Sequence, residues 1–187
     1  MGRVAIVQLL LDKGVEISYE DTDVSSLLLN STENGCIDII QHILNKDAQC
    51  ETSVLIMLDS LFLAVELGRA AIVQLLLDRG ADISHEATDV SLFPSNAFTE
   101  RSMVIIQQIL DNDVQIGASA VVLPTLLLLA VEMGHTAIVE LLLDRAAEIG
   151  LRNRQLWVPL LSGAIEVATE FTHTVIVQLL IEHGHYI

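Results

Sequence analysis

Cysteine is nearly absent from this 187-residue chain, which has only Cys36 and Cys50. Their separation fits no metal-ligand pair, so a disulfide framework is not expected and a reducing intracellular location, cytoplasmic or nuclear, is the default. Aromatic residues make up 4% of the chain, and three prolines and ten glycines are too few for a collagen-like or linker-like composition. Basic residues are scarce: nine Lys and Arg face 25 Asp and Glu, for a formal net charge of −16. A phosphate backbone would meet net repulsion, which argues against nucleic acid as a partner. Long apolar runs are also missing. The most apolar stretch, from Ala118 to Val131, contains Pro124 and falls short of the ~20 residues a spanning helix needs. It reads as buried helix, and no membrane partner is expected. The amino terminus shows neither a secretory cleavage pattern nor the hydroxyl residue of a myristoylation signal.

What is present is apolar side chain, 52% of the sequence, and it recurs in register. Ile6-Val7-Gln8-Leu9-Leu10-Leu11 returns as Ile39-Ile40-Gln41-His42-Ile43-Leu44 and as Ile72-Val73-Gln74-Leu75-Leu76-Leu77. Further copies start at Ile105, Ile138 and Ile176, so four successive spacings are 33 residues and the last is 38. A register kept through four periods marks an array of one supersecondary unit. A second period of 66 lies over the first: Thr22-Asp23-Val24-Ser25 repeats as Thr88-Asp89-Val90-Ser91, and Leu63-Ala64-Val65-Glu66 as Leu129-Ala130-Val131-Glu132. Duplication of a two-repeat block is the simplest account.

Each copy reads as helix, because Ile72, Val73, Leu75, Leu76 and Leu77 fall at helical spacing with Gln74 and Asp78 polar. Gly80 suits a left-handed cap after it. Upstream, Leu61 to Glu66 reads as a shorter first helix closed by Gly68. One such pair cannot bury both apolar faces, whereas stacked neighbours can.

Taken together, Leu63-Ala64-Val65-Glu66-Leu67-Gly68, then Ile72 to Leu77, then Gly80-Ala81-Asp82-Ile83 resemble ankyrin repeats, and the resemblance covers nearly the whole chain. It implies an all-α fold, a solenoid of stacked antiparallel helix pairs with short hairpin or loop fingers. The expected organisation is a single array over 1–187. Residues 1–20 form a partial repeat, 21–53, 54–86, 87–119 and 120–152 full repeats, and 153–187 a final repeat with a five-residue insertion.

Several positions depart from the family pattern. Its Thr-Pro-Leu-His is replaced by Asp59-Ser60-Leu61-Phe62 and by Thr125-Leu126-Leu127-Leu128. Arg101 and Thr172 stand where the inter-helix glycine belongs, and Ala146 replaces the capping glycine. That last change costs about 1 kcal/mol if the backbone stays left-handed. The first copy lacks a first helix and Val4, Ala5, Val7 and Leu11 are apolar. No polar cap is evident, so a fragment of a longer array with an exposed apolar edge is expected.

No convergent nucleophile, base or metal cluster stands out, and no phosphate-binding glycine loop. In His85-Glu86-Ala87-Thr88-Asp89 the second zinc ligand would be Asp89 and not His. Asp21, Asp23 and Ser25 have calcium-loop spacing but lack the loop's glycine and its final Glu. No cofactor, no metal and no catalytic residue is expected.

The resemblance instead implies recognition by the fingers and the inner face of the first helices. Carried over by register, those positions are Thr22, Asp23, Ser25, Leu55, Ile56, Thr88, Asp89, Ser91 and Val121, with Glu33, Glu66 and Glu132 near the first-helix ends beside Leu67 and Met133. Two readings of the apolar links Val54-Leu55-Ile56 and Val121-Val122-Leu123 stay open. They are either extended first helices buried by neighbours or an apolar strip flanked by carboxylates, suited to a protein partner with basic and apolar surface. The last link adds Arg152, Arg154 and Trp157, the only tryptophan. Trp and Arg are enriched at interface hot spots, although tryptophan is more often core. Two functional classes follow: a non-catalytic protein-interaction scaffold, or a regulatory or targeting segment of a larger enzyme or signalling protein.

Overall fold

The structure, a computed structural model, describes residues 24–46, 54–79, 119–148 and 154–184, together with Ile6, Leu9 and Val104. The chain divides into two compact units, Met1–Ala81 and Asp82–Ile187. All the regular structure among the described residues is helical, with no strand.

In the first unit the helices are α1 (Val24–Glu33), α2 (Ile37–Lys46), α3 (Val54–Glu66) and α4 (Ala70–Asp78). They form two antiparallel pairs, α1 with α2 and α3 with α4, and α1 packs directly on α3 while α2 touches α4. The second unit repeats this plan with α5 (Ser119–Glu132), α6 (Thr136–Glu148), α7 (Arg154–Glu170) and α8 (Thr174–Gly184). Here α5 pairs with α6, α7 with α8, and the first helices α5 and α7 stack on each other.

The second helices are amphipathic in the manner the repeat predicts. In α4, Ile72, Val73, Leu76 and Leu77 are buried while Ala71, Gln74 and Asp78 face water. One stripe is therefore enough to seat the helix, each large side chain contributing about 1.5–3 kcal/mol on burial. First helices are different because they are flanked on more than one side. From Val122 to Val131 every residue of α5 is buried, the mark of a helix enclosed by neighbours. This resolves the apolar links: Val54-Leu55-Ile56 lies in α3 and Val121-Val122-Leu123 in α5. Met57, Leu58, Val122 and Leu123 are buried, so the first helices start earlier than the Leu61–Glu66 stretch suggested.

The two helices of each pair are joined by one turn, used four times. Gly35, Gly68 and Gly134 have φ of 72°, 70° and 74°, and Thr172 takes the same left-handed conformation at 59°. At the first turn the Cys36 N–H donates to the Ser31 carbonyl (2.8 Å) and the Gly35 N–H to the Thr32 carbonyl (3.1 Å). The same two bonds recur after α3, α5 and α7, for instance from the His173 N–H to the Ala168 carbonyl at 2.8 Å. This paired pattern closes a helix by satisfying carbonyls that have no partner inside it. Thr172 thus keeps the backbone of the glycine it replaces. Ala146 does not: α6 runs through it to Glu148, it is buried, and no left-handed cap forms there. The other cap positions, Asp47, Gly80 and Asp113, and the substitution at Arg101, lie outside the described residues.

Ile6 and Leu9 are each 58% exposed, whereas Ile39, Ile72, Ile138 and Ile176, in register with Ile6, are at most 3% exposed. Val4, Ala5, Val7 and Leu11 lie outside the described residues. A polar face that the sequence reading did not find is present on α7. Glu166 and Thr169 are exposed there, at the positions where α5 buries Leu128 and Val131.

Candidate protein-interaction surface

The turns between the two helices of each pair carry a recurring three-residue signature. Each first helix ends in a glutamate, then an outward residue, then the left-handed residue: Glu33-Asn34-Gly35, Glu66-Leu67-Gly68, Glu132-Met133-Gly134 and Glu170-Phe171-Thr172. A carboxylate at a helix carboxyl end opposes the helix dipole, which favours cations there. Local helix stability therefore does not account for a glutamate at all four ends. Beside them Leu67, Met133 and Phe171 are 40–41% exposed, large apolar groups held at the tips by the turn geometry.

Neighbouring turns are tied together by a side chain from the next repeat. Three carbonyls of each helix end accept from N–H groups of the turn, and those of Glu33 and Glu132 are reached from the following repeat. In the first unit the Arg69 guanidinium donates to the Glu33 carbonyl at 3.3 Å and lies over Gly35. In the second, His173 Nε2 is 3.2 Å from the Glu132 carbonyl, an arrangement in which the Nε2–H tautomer donates. Arg69 and His173 each directly follow the left-handed residue of their own turn, so this is one device built twice with different side chains. Gly134 makes room for it: a Cβ there would stand 2.7 Å from the imidazole Cε1. Phe171 stacks on the same imidazole, with ring centroids 6.0 Å apart and planes 12° from parallel. Met133, Gly134, His173 and Phe171 so form one continuous strip across two repeats.

Among the expected contact residues, Glu33 and Glu66 are exposed, and Ser25 and Ile56 are half-buried on α1 and α3. Leu55, Val121 and Arg154 are placed in helices α3, α5 and α7. Thr22, Asp23, Thr88, Asp89, Ser91 and Arg152 lie outside the described residues. Two positions need correction. Trp157 is 2% exposed, so the bulk that made it a contact candidate fills the core of the second unit instead. Glu132 is 8% exposed, and a partner reaches little of it. Arg69, His173 and Phe171 were not anticipated, although their shared register beside the inter-helix glycine was the available signal.

Asp59 of α3, although exposed as a residue, has its carboxyl raised above the ordinary value by partial desolvation. No helix among the described residues is long and apolar enough to cross a membrane.

Comparison with known proteins agrees with this geometry. A family model for ankyrin repeats in three copies matches residues 1–87, and a single ankyrin-repeat model matches residues 125–154. The human ankyrin repeat and KH domain-containing protein 1 is 35% identical over 102 residues, which cover 51% of this chain and 4% of that protein. The chain thus spans a small fraction of this relative's length. No solved structure matches.

Proposed function

The chain belongs to the ankyrin-repeat family, whose repeats generally mediate protein–protein interaction and are typically non-catalytic, and we propose that it is an interaction scaffold. In this reading a protein partner is held by the finger segments and the inner face of the first helices. Ser25, Ile56, Glu33 and Glu66 are the described contributors, and the finger residues Thr22, Asp23, Thr88, Asp89 and Ser91 join them.

One observation carries the reading: α1 stacks on α3 and α5 on α7 without intervening structure. Residues displayed by successive first helices are then fixed in spacing before a partner arrives, and little ordering entropy opposes binding. The net charge of −16 favours a partner with a basic surface and raises its rate of encounter at low salt.

The test is affinity capture with the purified chain, followed by measured binding of each captured protein in purified form. A direct complex whose affinity falls at least tenfold with Glu33→Lys and Glu66→Lys together, at unchanged helicity, supports the scaffold. Captured proteins that show no direct binding, or binding indifferent to both substitutions and to the finger positions, contradict it.

A further inference from the structure

Resting on the scaffold reading, we propose that the turn edge of the second unit is a separate docking strip, built by Met133, Gly134, Phe171 and His173, for a basic segment of a partner chain that carries apolar residues at regular intervals. Three observations converge on it.

The first is exposure in register. Met133 and Phe171 are 41% and 40% exposed at equivalent tips of adjacent repeats, and Val175 beyond them is 64% exposed. A shallow cavity of about 220 Å³ opens beside them, lined by Gly134, Thr136, His173, Thr174 and Val175 among others. The first unit has no such strip, because the tip next to Leu67 is Asn34.

The second is rigidity. Phe171 lies against the His173 ring, and His173 is pinned to the Glu132 carbonyl with the ring seated over Gly134. An aromatic side chain already fixed in place loses little freedom when a partner covers it, which is the property of an interface anchor.

The third is charge, which selects the occupant. Residues 119–148 and 154–184 contain seven Asp and Glu against two Arg. Glu170 is exposed immediately beside Phe171, and Glu166 stands one turn before it on α7. A cation placed over the outer face of Phe171 meets the ring quadrupole in a region of net negative charge. A second copy of this chain, also at −16, is disfavoured by the same charge. Packed helices lie about 8–10 Å apart, about one three-residue turn of a polyproline II chain, in which every third side chain returns to the same face. The fitting segment therefore carries an apolar residue at about every third position with Arg or Lys between.

The probes are two synthetic peptides, (Leu-Arg-Arg)4 and (Ser-Arg-Arg)4, titrated into the full chain with methyl-labelled methionine. Saturable movement of the Met133 methyl signal, with the leucine peptide binding at least tenfold more tightly, supports the strip. So does a tenfold loss with Phe171→Ser and a fivefold loss with Glu170→Lys, against less than a twofold change with Leu67→Ser. Trp157 fluorescence confirms that the Phe171 and Glu170 variants are folded and circular dichroism that Leu67→Ser is, and Glu170→Lys leaves the apolar strip intact should Phe171→Ser unfold. Equal binding of the two peptides, or saturation with the Met133 methyl unmoved, overturns the proposal. In the latter case movement of the Met57 methyl signal on α3 instead leaves the scaffold reading standing.

Discussion

The His173 ring lies across Gly134, its Cε1 2.7 Å from where a Cβ of that glycine would be, while its Nε2 sits 3.2 Å from the Glu132 carbonyl. One repeat thus grips the turn of the one before it, and the grip requires a missing side chain. Gly134→Ala therefore carries two penalties, the left-handed φ of 74° and the displaced imidazole. The expected loss is about 2–3 kcal/mol, the strained conformation alone accounting for about 1–2. At Gly35 the obstructing atoms are the mobile end of Arg69, 3.3 Å away, so Gly35→Ala costs only the backbone term, about 1–2 kcal/mol. In a His173→Ala background the Gly134→Ala penalty shrinks toward that same figure. Urea titrations of the two singles and the double check this coupling.

Thr172 is the inverse case. It is a β-branched residue in the left-handed region at φ 59°, where glycine is the comfortable occupant. Thr172→Gly is expected to stabilise the second unit by about 0.5–1 kcal/mol, even after allowing for the greater freedom of glycine in the unfolded chain. A raised urea midpoint, followed by fluorescence of the buried Trp157, would show it.

Ser31 is fully buried and its hydroxyl has no hydrogen-bond partner. The same register position holds Ala64, Ala130 and Ala168, each buried. An unsatisfied buried polar group costs about 1–3 kcal/mol, so Ser31→Ala should stabilise the first unit by about 1 kcal/mol. Thermal unfolding monitored by circular dichroism is the readout, with Trp157 fluorescence expected to stay unchanged.

Asp59 gives a pH-dependent prediction. Desolvation raises its folded pKa above the ordinary 3.8, so the folded protein favours the protonated form. The associated stability is fully present below 3.8 and is lost as pH rises through the folded value. Asp59→Asn should then be more stable than the parent chain at neutral pH, with the advantage disappearing in acid below that unfolded value. An advantage independent of pH would assign the effect to packing and not to the carboxylate.

These particulars show what the sequence could and could not reveal. Helix pairs were legible because a stripe such as Ile72, Val73, Leu76 and Leu77 permits one period and one buried face. The start of the first helices was not, because Val54-Leu55-Ile56 and Val121-Val122-Leu123 are apolar at every position, and an unbroken apolar run specifies burial without specifying conformation. Trp157 was ambiguous for the same reason, its chemistry suiting core and contact equally. The inter-repeat ties escaped notice because Arg69 and His173 address main-chain carbonyls 36 and 41 residues away. A carbonyl has no identity in the sequence. Phe171 escaped with them, since its value lies in the ring it stacks upon.

The central claim is that helix pairs stand side by side, first helix upon first helix, within each unit. Nuclear Overhauser contacts between labelled methyl groups test it most directly, with Leu126 to Leu129 of α5 observed against Leu160, Leu161 and Val167 of α7. Direct cross-peaks between these two sets, with α1 and α3 methyls behaving alike in the first unit, are the predicted result. Cross-peaks confined to α5 with α6 and α7 with α8, and none between α5 and α7, would contradict the stacked arrangement and the display surface built on it.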